Sequence, residues 1–316
     1  MRWYQVVPVE GVTFEDEKRA RSRFWNEGKW RTFVEPLLPQ QRRTFLEIGC
    51  NAGLMLKLAM EAGFTNVVGV EARGRVMDQA KEYQKLNGLP YRLVWGTAGV
   101  DLDLDALPVA DVVLLSNMHY YLPVADLSRL VDKLQQRCRY CIVVGAKARA
   151  RQGNAKHYLR AIRGYFHAWD ELGTVENVDP EGDPSPRPDM YGVVFRGHLQ
   201  AVEVAPYYGA WYEAAKSWRH RSHGLAPALQ DFFERVVAGD MEDVKETNLY
   251  AYWQARQPKA DNVRRLEEKA ALARDIRDHG MREPIYMDWR HKMLDGIHRM
   301  CIARVLGYDW ALVRVL

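Results

Sequence analysis

Apolar and polar positions recur along this chain with two different periods. Between residues 44 and 146, short apolar runs appear at Phe45–Ile48, Val67–Val70, Leu93–Trp95, Val112–Leu115 and Cys141–Val144. Between them, near Leu54–Ala62, Arg75–Leu86 and Val124–Leu134, apolar residues return at helical spacing. Short apolar runs bounded by turn residues fit buried strands, and the three-to-four spacing fits amphipathic helices. Their alternation predicts a parallel sheet with helices on both faces. A helix-like stretch follows around Ala155–Leu172, then a loop rich in Pro and Asp from Asp179 to Pro188. Tyr191–Phe195 and Leu199–Val204 read as two further strands.

The period changes near Pro206. Residues 211–256 are helical in pattern and carry Trp, Tyr and His with few Gly. Asp261-Asn262 then offers an N-cap to a helix whose Val263, Leu266, Ala270, Ala273 and Ile276 share one face. Gly280 stands where a C-terminal glycine cap is expected. A strand Ile285–Met287, a turn, a helix Ile297–Leu306 and a strand Trp310–Val315 complete the chain. The expected organisation is an α/β domain over 1–205 with an N-terminal helical cap, a helical connector over 206–260, and a small α/β module over 261–316.

Length and composition narrow this little. At about 100–200 residues per domain, 316 residues allow two domains. A chain that is 47% hydrophobic and 27% charged is neither wholly disordered nor collagen-like. No apolar run approaches the roughly 18–20 residues that span a bilayer, so no membrane partner is expected. The opening Met1-Arg2-Trp3-Tyr4 lacks a signal-peptide core, and 4 Cys are too few for a disulfide scaffold, which makes a cytoplasmic location the expectation. A net charge of +4 is too mild for a nucleic-acid footprint but compatible with an anionic ligand. Many of the 10 Trp and 16 Tyr lie in polar stretches, where they either line pockets or simply pack.

The strongest chemical signal is Phe45-Leu46-Glu47-Ile48-Gly49-Cys50-Asn51-Ala52-Gly53. A buried strand runs into a tight turn with two glycines, and a helix begins at Leu54. Glycine there lets the backbone approach a ligand closely. The second strand ends in Glu71, about 20 residues on, where an acid can hold a ribose diol. A dinucleotide dehydrogenase also has a glycine loop and an acid, but its Gly-x-Gly-x-x-Gly would need Gly where Asn51 stands.

The segment Leu46–Gly53 resembles the first motif of class I S-adenosylmethionine-dependent methyltransferases. The resemblance covers about residues 30–205. It implies a Rossmann-like seven-stranded sheet, the last strand inserted antiparallel through a hairpin, for which Tyr191–Val204 is the candidate. It implies S-adenosyl-L-methionine as cofactor, held by Glu47, Gly49, Cys50, Asn51 and Gly53, with Glu71 on the ribose hydroxyls and Ala72 beside it. Gly96, Thr97 and Ala98 after the third strand would touch adenine. Ser116 and Asn117, after the fourth strand, would face the cofactor, and His119 the acceptor.

Methyl transfer aligns a nucleophile with a sulfonium carbon and removes a proton if the nucleophile starts neutral. His119 is the candidate base, since imidazole titrates near neutrality; the bland alternative is a histidine that orients or packs. Tyr120, Tyr121 and Tyr191 are candidates to shape the pocket. Asn117-Met118-His119-Tyr120 lacks the two prolines of DNA amino-methylases. Only Asp111 lies near enough to suggest a metal site, so no catalytic metal is expected. Trp25 and Trp30 either cover the site or are buried against the sheet. The loop Asp183–Tyr191, with Arg187, is either a lid over substrate or a surface connector.

A second signal is Leu294-Asp295-Gly296-Ile297-His298-Arg299, preceded by Gly280 and Glu283-Pro284-Ile285. About fifty residues here resemble the ParB/sulfiredoxin-like nucleotide-binding fold. The resemblance implies ATP or CTP phosphates at Asp295, Gly296, His298 and Arg299, on a module that either transfers phosphate or only binds and packs. Cys138 and Cys141 have metal-like spacing without a second pair. His220 and His223 sit in a basic stretch that reads as a patch or a solvated face.

The expected function is methyl transfer to a small-molecule acceptor: a sugar, a phosphorylated metabolite or a natural-product intermediate. Two alternatives stand beside it. One is a bifunctional enzyme whose C-terminal module is a nucleotide-dependent kinase or NTPase. The other is a non-enzymatic, DNA-associated regulator.

Overall fold

A computed structural model describes residues 27–146, 159–176, 190–216, 224–256, 258–288 and 293–316. The chain divides into two compact units. The first runs to Ala106 and resumes over Ala110–His198; the second takes Leu107–Val109 and Leu199–Leu316.

The first unit is built on a seven-stranded sheet. Its elements are α1 (Glu27–Phe33), β1 (Thr44–Ile48), α2 (Leu54–Glu61), β2 (Asn66–Glu71), α3 (Gly74–Leu86), β3 (Arg92–Trp95), β4 (Ala110–Ser116), α4 (Val124–Gln135), β5 (Cys138–Ala146), α5 (Leu159–Tyr165), β6 (Asp170–Glu176) and β7 (Met190–Arg196). The strand order is β3-β2-β1-β4-β5-β7-β6. β1 to β5 are parallel, and β7 is antiparallel to both β5 and β6. This is an α/β fold with a mostly parallel seven-stranded sheet, as the sequence pattern predicts.

The central strands are buried along their whole length, as their apolar runs predict, and they bury Glu47 and Asp111 with them. Helix α4 turns Leu127, Leu130, Val131 and Leu134 inward, the stripe of an amphipathic helix. Asp111, at the start of β4, accepts the amides of Arg43 and Thr44 at 3.0 and 2.8 Å and so anchors the entry to β1. Helix α1 lies flat against β7: a Cβ at Gly192 would stand 2.3 Å from the Phe33 carbonyl oxygen. Trp30 is therefore core rather than cover, buried edge-on to Phe45 at 5.9 Å.

Three expectations are corrected here. The helix expected over 155–172 is described only as α5, Leu159–Tyr165, and the chain is already extended from Asp170. The strand expected over Leu199–Val204 ends at Glu203 and pairs with no strand of the first sheet. The antiparallel hairpin is β6–β7 instead, with a bulge between Glu171 and Gly173. As an edge strand with largely exposed side chains, β6 carries no apolar alternation to read.

The second unit contains β8 (Leu199–Glu203), α6 (Val204–Lys216), α7 (Leu225–Ala238), α8 (Asn248–Arg256), α9 (Asn262–His279), β9 (Ile285–Met287), β10 (Met293–Asp295), α10 (Ile297–Val305) and β11 (Trp310–Val315). Its sheet runs β10-β9-β11-β8. β8 pairs antiparallel with β11 from Glu203–Trp310 to Leu199–Arg314. That pairing moves the division from the expected residue 205 to His198. The helices expected as a connector share one core with this sheet: Leu229, Phe232 and Phe233 of α7 cluster with Leu266, Ala270 and Ala273 of α9 and Met300 and Ile302 of α10. The expected Asp261 cap differs in detail, since its side chain makes no capping hydrogen bond and lies 3.7 Å from Arg264 instead. β10 forms where a turn was expected. Among the described residues no helix is long and apolar enough to cross a membrane.

Candidate functional site

The first unit gathers polar side chains where β1, β2, β3 and β4 end. In an open parallel sheet this edge lies at the carboxyl ends of the strands, and the crevice opens where neighbouring strands send their connections to opposite faces. Here the turn after β1 leads to α2 beside β2, while β4 occupies the other flank of β1.

The turn itself is held by backbone. The amides of Gly49 and Cys50 both donate to the Val70 carbonyl, at 2.8 and 2.9 Å. Gly49, Asn51 and Gly53 all take positive φ. Glycine is required at two of these positions: a Cβ on Gly49 would meet Met118 Cβ at 2.9 Å, and one on Gly53 would meet Tyr91 Oη at 2.7 Å. Asn51 pays the smaller strain of a polar residue in this region and donates from Nδ2 to the Gly49 carbonyl at 3.0 Å. Cys50 turns its thiol inward, where burial raises its pKa well above the usual range, so its contribution to the turn is backbone.

Glu71 closes the end of β2 and is almost fully buried. Its Oε2 accepts the Asn51 amide at 3.0 Å; its Oε1 accepts the amides of Ala72 and Arg73 at 3.1 and 3.0 Å. The Arg73 guanidinium adds Nε at 3.3 Å and reaches Asn51 Oδ1 with Nη2 at 3.0 Å. The acid is thereby fixed against the glycine turn. Trp95, at the end of β3, is 71% exposed, and its indole N–H donates to the Ala72 carbonyl at 2.9 Å. Gly96 donates its amide to the Glu71 carbonyl, and the Thr97 amide donates to Asp101.

Glu47 is the electrostatic outlier. It is buried, and its Oε2 has no hydrogen-bond partner. Burial pushes its pKa up to about 8; the Lys29 ammonium pulls it back and the Glu71 charge adds to the rise. Lys29 comes from α1 and donates to Ser116 Oγ at 3.3 Å, deep in the unit. A buried cation is thus tied to the end of β4. Asn117 follows with φ 58° and donates its amide to the Val144 carbonyl.

His119 opens a single 3-10 turn, His119–Tyr121, and is buried with its ring 4.2 Å from that of Tyr120. Tyr120 and Tyr191 bring their hydroxyls to one point at the end of β5: a Cβ on Gly145 would lie 2.6 Å from Tyr191 Oη and 2.9 Å from Tyr120 Oη. Tyr191 is fully buried, and burial holds its hydroxyl protonated far above the usual range. Of the expected site residues, Glu47, Gly49–Gly53, Glu71, Ala72, Gly96, Thr97, Ser116, Asn117, His119, Tyr120 and Tyr191 all belong to this unit. Trp25 and Arg187 lie outside the described residues, as do His220 and His223. The roles of Lys29, Arg73 and Trp95 were not read from sequence. A lone lysine in a short helix and an arginine after an acid carry no motif; only their folded positions distinguish them.

The segment at 295–299 belongs to the second unit. Asp295 Oδ1 accepts the Gly296 amide at 2.7 Å, and the Arg299 guanidinium is shared between Asp295 and Glu283. Cys138 and Cys141 are three residues apart on β5, so their side chains face opposite sides of the sheet. Both thiols are buried. Among the described residues no group of three or more metal-ligating side chains forms.

No family model matches the chain. The tRNA U34 carboxymethyltransferase of Shewanella halifaxensis (strain HAW-EB4) is 25% identical over 129 residues, which are 40% of this chain and 37% of that protein's length. Among solved structures, the N-methyltransferase NodS of Bradyrhizobium japonicum WM9 aligns with a TM-score of 0.44 and 16% identity over 58% of this chain and 99% of its own. The glycopeptide N-methyltransferase MtfA, solved with S-adenosyl-L-methionine, aligns with a TM-score of 0.43 and 15% identity over 60% of this chain and 100% of its own. At these scores no assignment of activity follows from the structural likenesses.

Proposed function

We propose that the first unit binds S-adenosyl-L-methionine and transfers its methyl group to a small-molecule acceptor. The observation that carries this reading is Glu71: a buried carboxylate fixed by three backbone amides beside a turn that only glycine can form. A ribose diol is a pair of donors; Oε1 of Glu71 already accepts three bonds and Oε2 one, so Oε2 is the atom with acceptor capacity for a ribose hydroxyl. The residues present fit the cofactor in a second way. The buried, unpartnered Oε2 of Glu47 is an acceptor without a donor, which a cationic ligand group relieves.

The bound cofactor supplies an electrophilic methyl group on a sulfonium. The chain's own residues supply the rest. Gly49–Gly53 cradle the ligand with backbone, and Glu71 orients its ribose. Trp95, Gly96 and Thr97 line the adenine end. Lys29 holds Ser116 at the end of β4 and places a positive charge beside Glu47. His119 stands at the acceptor side as the group that takes a proton, with Tyr120 packed against its ring.

The test is calorimetric titration of the purified protein with S-adenosylhomocysteine. Micromolar binding that weakens at least tenfold in Glu71→Ala supports the reading. No binding by the native protein sinks it.

A second reading of the acceptor has one specific observation behind it: the partial relative is named for transfer to tRNA. Methylation assays with hydroxyl and amine compounds beside bulk tRNA separate the two. Incorporation into tRNA alone would replace the small-molecule acceptor. The alternative of nucleotide-dependent transfer through residues 295–299 is weakened by geometry, since Arg299 already serves two carboxylates.

A further inference from the structure

Residues 93–128 carry five Asp and no Lys or Arg, although the chain has 45 Lys and Arg in all. In a chain of net charge +4, this stretch is a local excess of negative charge. The fold sorts the five acids. Asp111 is buried at the start of β4, Asp105 pairs with Arg137, and Asp126 pairs with Arg129. Asp101 and Asp103 stay exposed. Asp101 accepts the Thr97 amide, and Asp103 accepts the Asp105 amide at 2.9 Å. Among the described residues neither meets a cation.

The same stretch leaves large apolar side chains in water. Val100 is 73% exposed, Tyr121 70% and Val124 54%. Tyr121 closes the 3-10 turn after β4, and Val124 opens α4. The loop after β3 touches that helix start: a Cβ on Gly99 would lie 2.8 Å from Asp126 Cβ and 3.3 Å from its carbonyl oxygen. Val100 and Val124 therefore stand on segments in contact, with Asp101 beside Val100 in the chain. Apolar side chains grouped in water and rimmed by charge mark an interaction site.

We infer that Val100, Tyr121 and Val124, rimmed by Asp101 and Asp103, form a docking face for a basic segment of a partner protein in which Lys or Arg alternate with apolar side chains. Charge complementarity selects this occupant. Two carboxylates without a cation attract Lys and Arg, and they repel the phosphates of a nucleic acid or an anionic membrane. The methylene stems of Lys and Arg cover apolar surface such as Val100 and Val124, and their charged heads are attracted to the face of an exposed ring such as Tyr121. The face lies at the carboxyl edge of the first sheet, beside the turn that carries His119. Docking there needs no cofactor, so the inference is independent of the methyl-transfer reading.

The experiment is fluorescence polarisation on the full chain with a labelled synthetic peptide in which Lys and Arg alternate with Leu and Val. One control peptide replaces the basic residues by Glu, and another replaces the apolar residues by Ser. Both controls should bind at least tenfold more weakly than the probe. The double variant Asp101→Asn with Asp103→Asn removes both charges and keeps an oxygen for each backbone amide. It should weaken probe binding about tenfold at low salt, the sum of two exposed charge contacts. That loss should shrink at high salt, where exposed charges are screened. Val100→Ser with Val124→Ser should also weaken binding about tenfold, at either salt concentration. Thermal scans of both double variants check that they are folded, and the serine pair decides should the asparagine pair unfold. No binding of the probe overturns the docking face, as does binding that the folded variants leave unchanged. Displacement of the probe by single-stranded RNA overturns it in favour of a nucleic-acid surface.

Discussion

Glu47 and Glu71 sit on neighbouring strands and meet opposite surroundings. Glu71 accepts three backbone amides and a guanidinium, whereas Glu47 keeps one oxygen without a donor and titrates near 8. The folded pKa of Glu47 lies above its ordinary value of 4.5, so the native state holds its proton more tightly than the unfolded chain. Stability therefore falls as pH rises from about 4.5 towards 8, and the loss is absent below that window. Glu47→Gln should raise the melting temperature by several degrees at pH 7.5 and leave it unchanged near pH 4, as read by thermal scans. The same variant should weaken S-adenosylhomocysteine binding, the usual exchange of stability for a functional strained group. An unchanged melting temperature at pH 7.5 would mean that Glu47 is not strained. Gly53→Ala tests the turn. A left-handed backbone and a Cβ 2.7 Å from Tyr91 Oη should cost about 1–2 kcal/mol or more in urea unfolding and abolish ligand binding. At this scale the glycine turn and its acid were visible in the residues, because positive φ and a buried acceptor demand particular side chains. Lys29 and Arg73 were not, because long cations are placed by the fold around them.

At the scale of elements, what could be read depended on burial. β1, β2, β4 and β5 are covered on both faces, and their short apolar runs announced them. β6 and β10 are edge strands with mostly exposed or half-exposed side chains, stabilised by pairing on one side, and nothing in their composition separates them from loop. The Trp-rich N-terminal stretch left two readings open, and Trp30 resolves to packing once Gly192 lets α1 approach the sheet. The Asp111 carboxylate helps anchor the entry to β1. Asp111→Ala removes the acceptor for the Arg43 and Thr44 amides and should destabilise the first unit by about 2 kcal/mol or more. Denaturant unfolding followed by a first-unit probe measures this, and a loss below half a kilocalorie would show that other groups anchor the strand.

At the scale of the molecule, β8 decides where one unit ends. It follows the first sheet after a two-residue turn, yet its partners are on β11. A fragment of residues 199–316 should therefore melt at a higher temperature than one of 206–316, which lacks β8 and leaves β11 with an open edge prone to aggregation. Equal melting temperatures would mean that β8 contributes nothing to the second core. Alternating strands and helices, the glycine turn and its acid are local patterns, so the residues alone determined the parallel α/β architecture and where the glycine turn and its acid lie in it. Which strand closes which sheet, which cations find carboxylates, and which carboxylate stays unpartnered are non-local matters. They depend on residues far apart in the chain meeting in a packed interior, and only the tertiary structure decided them.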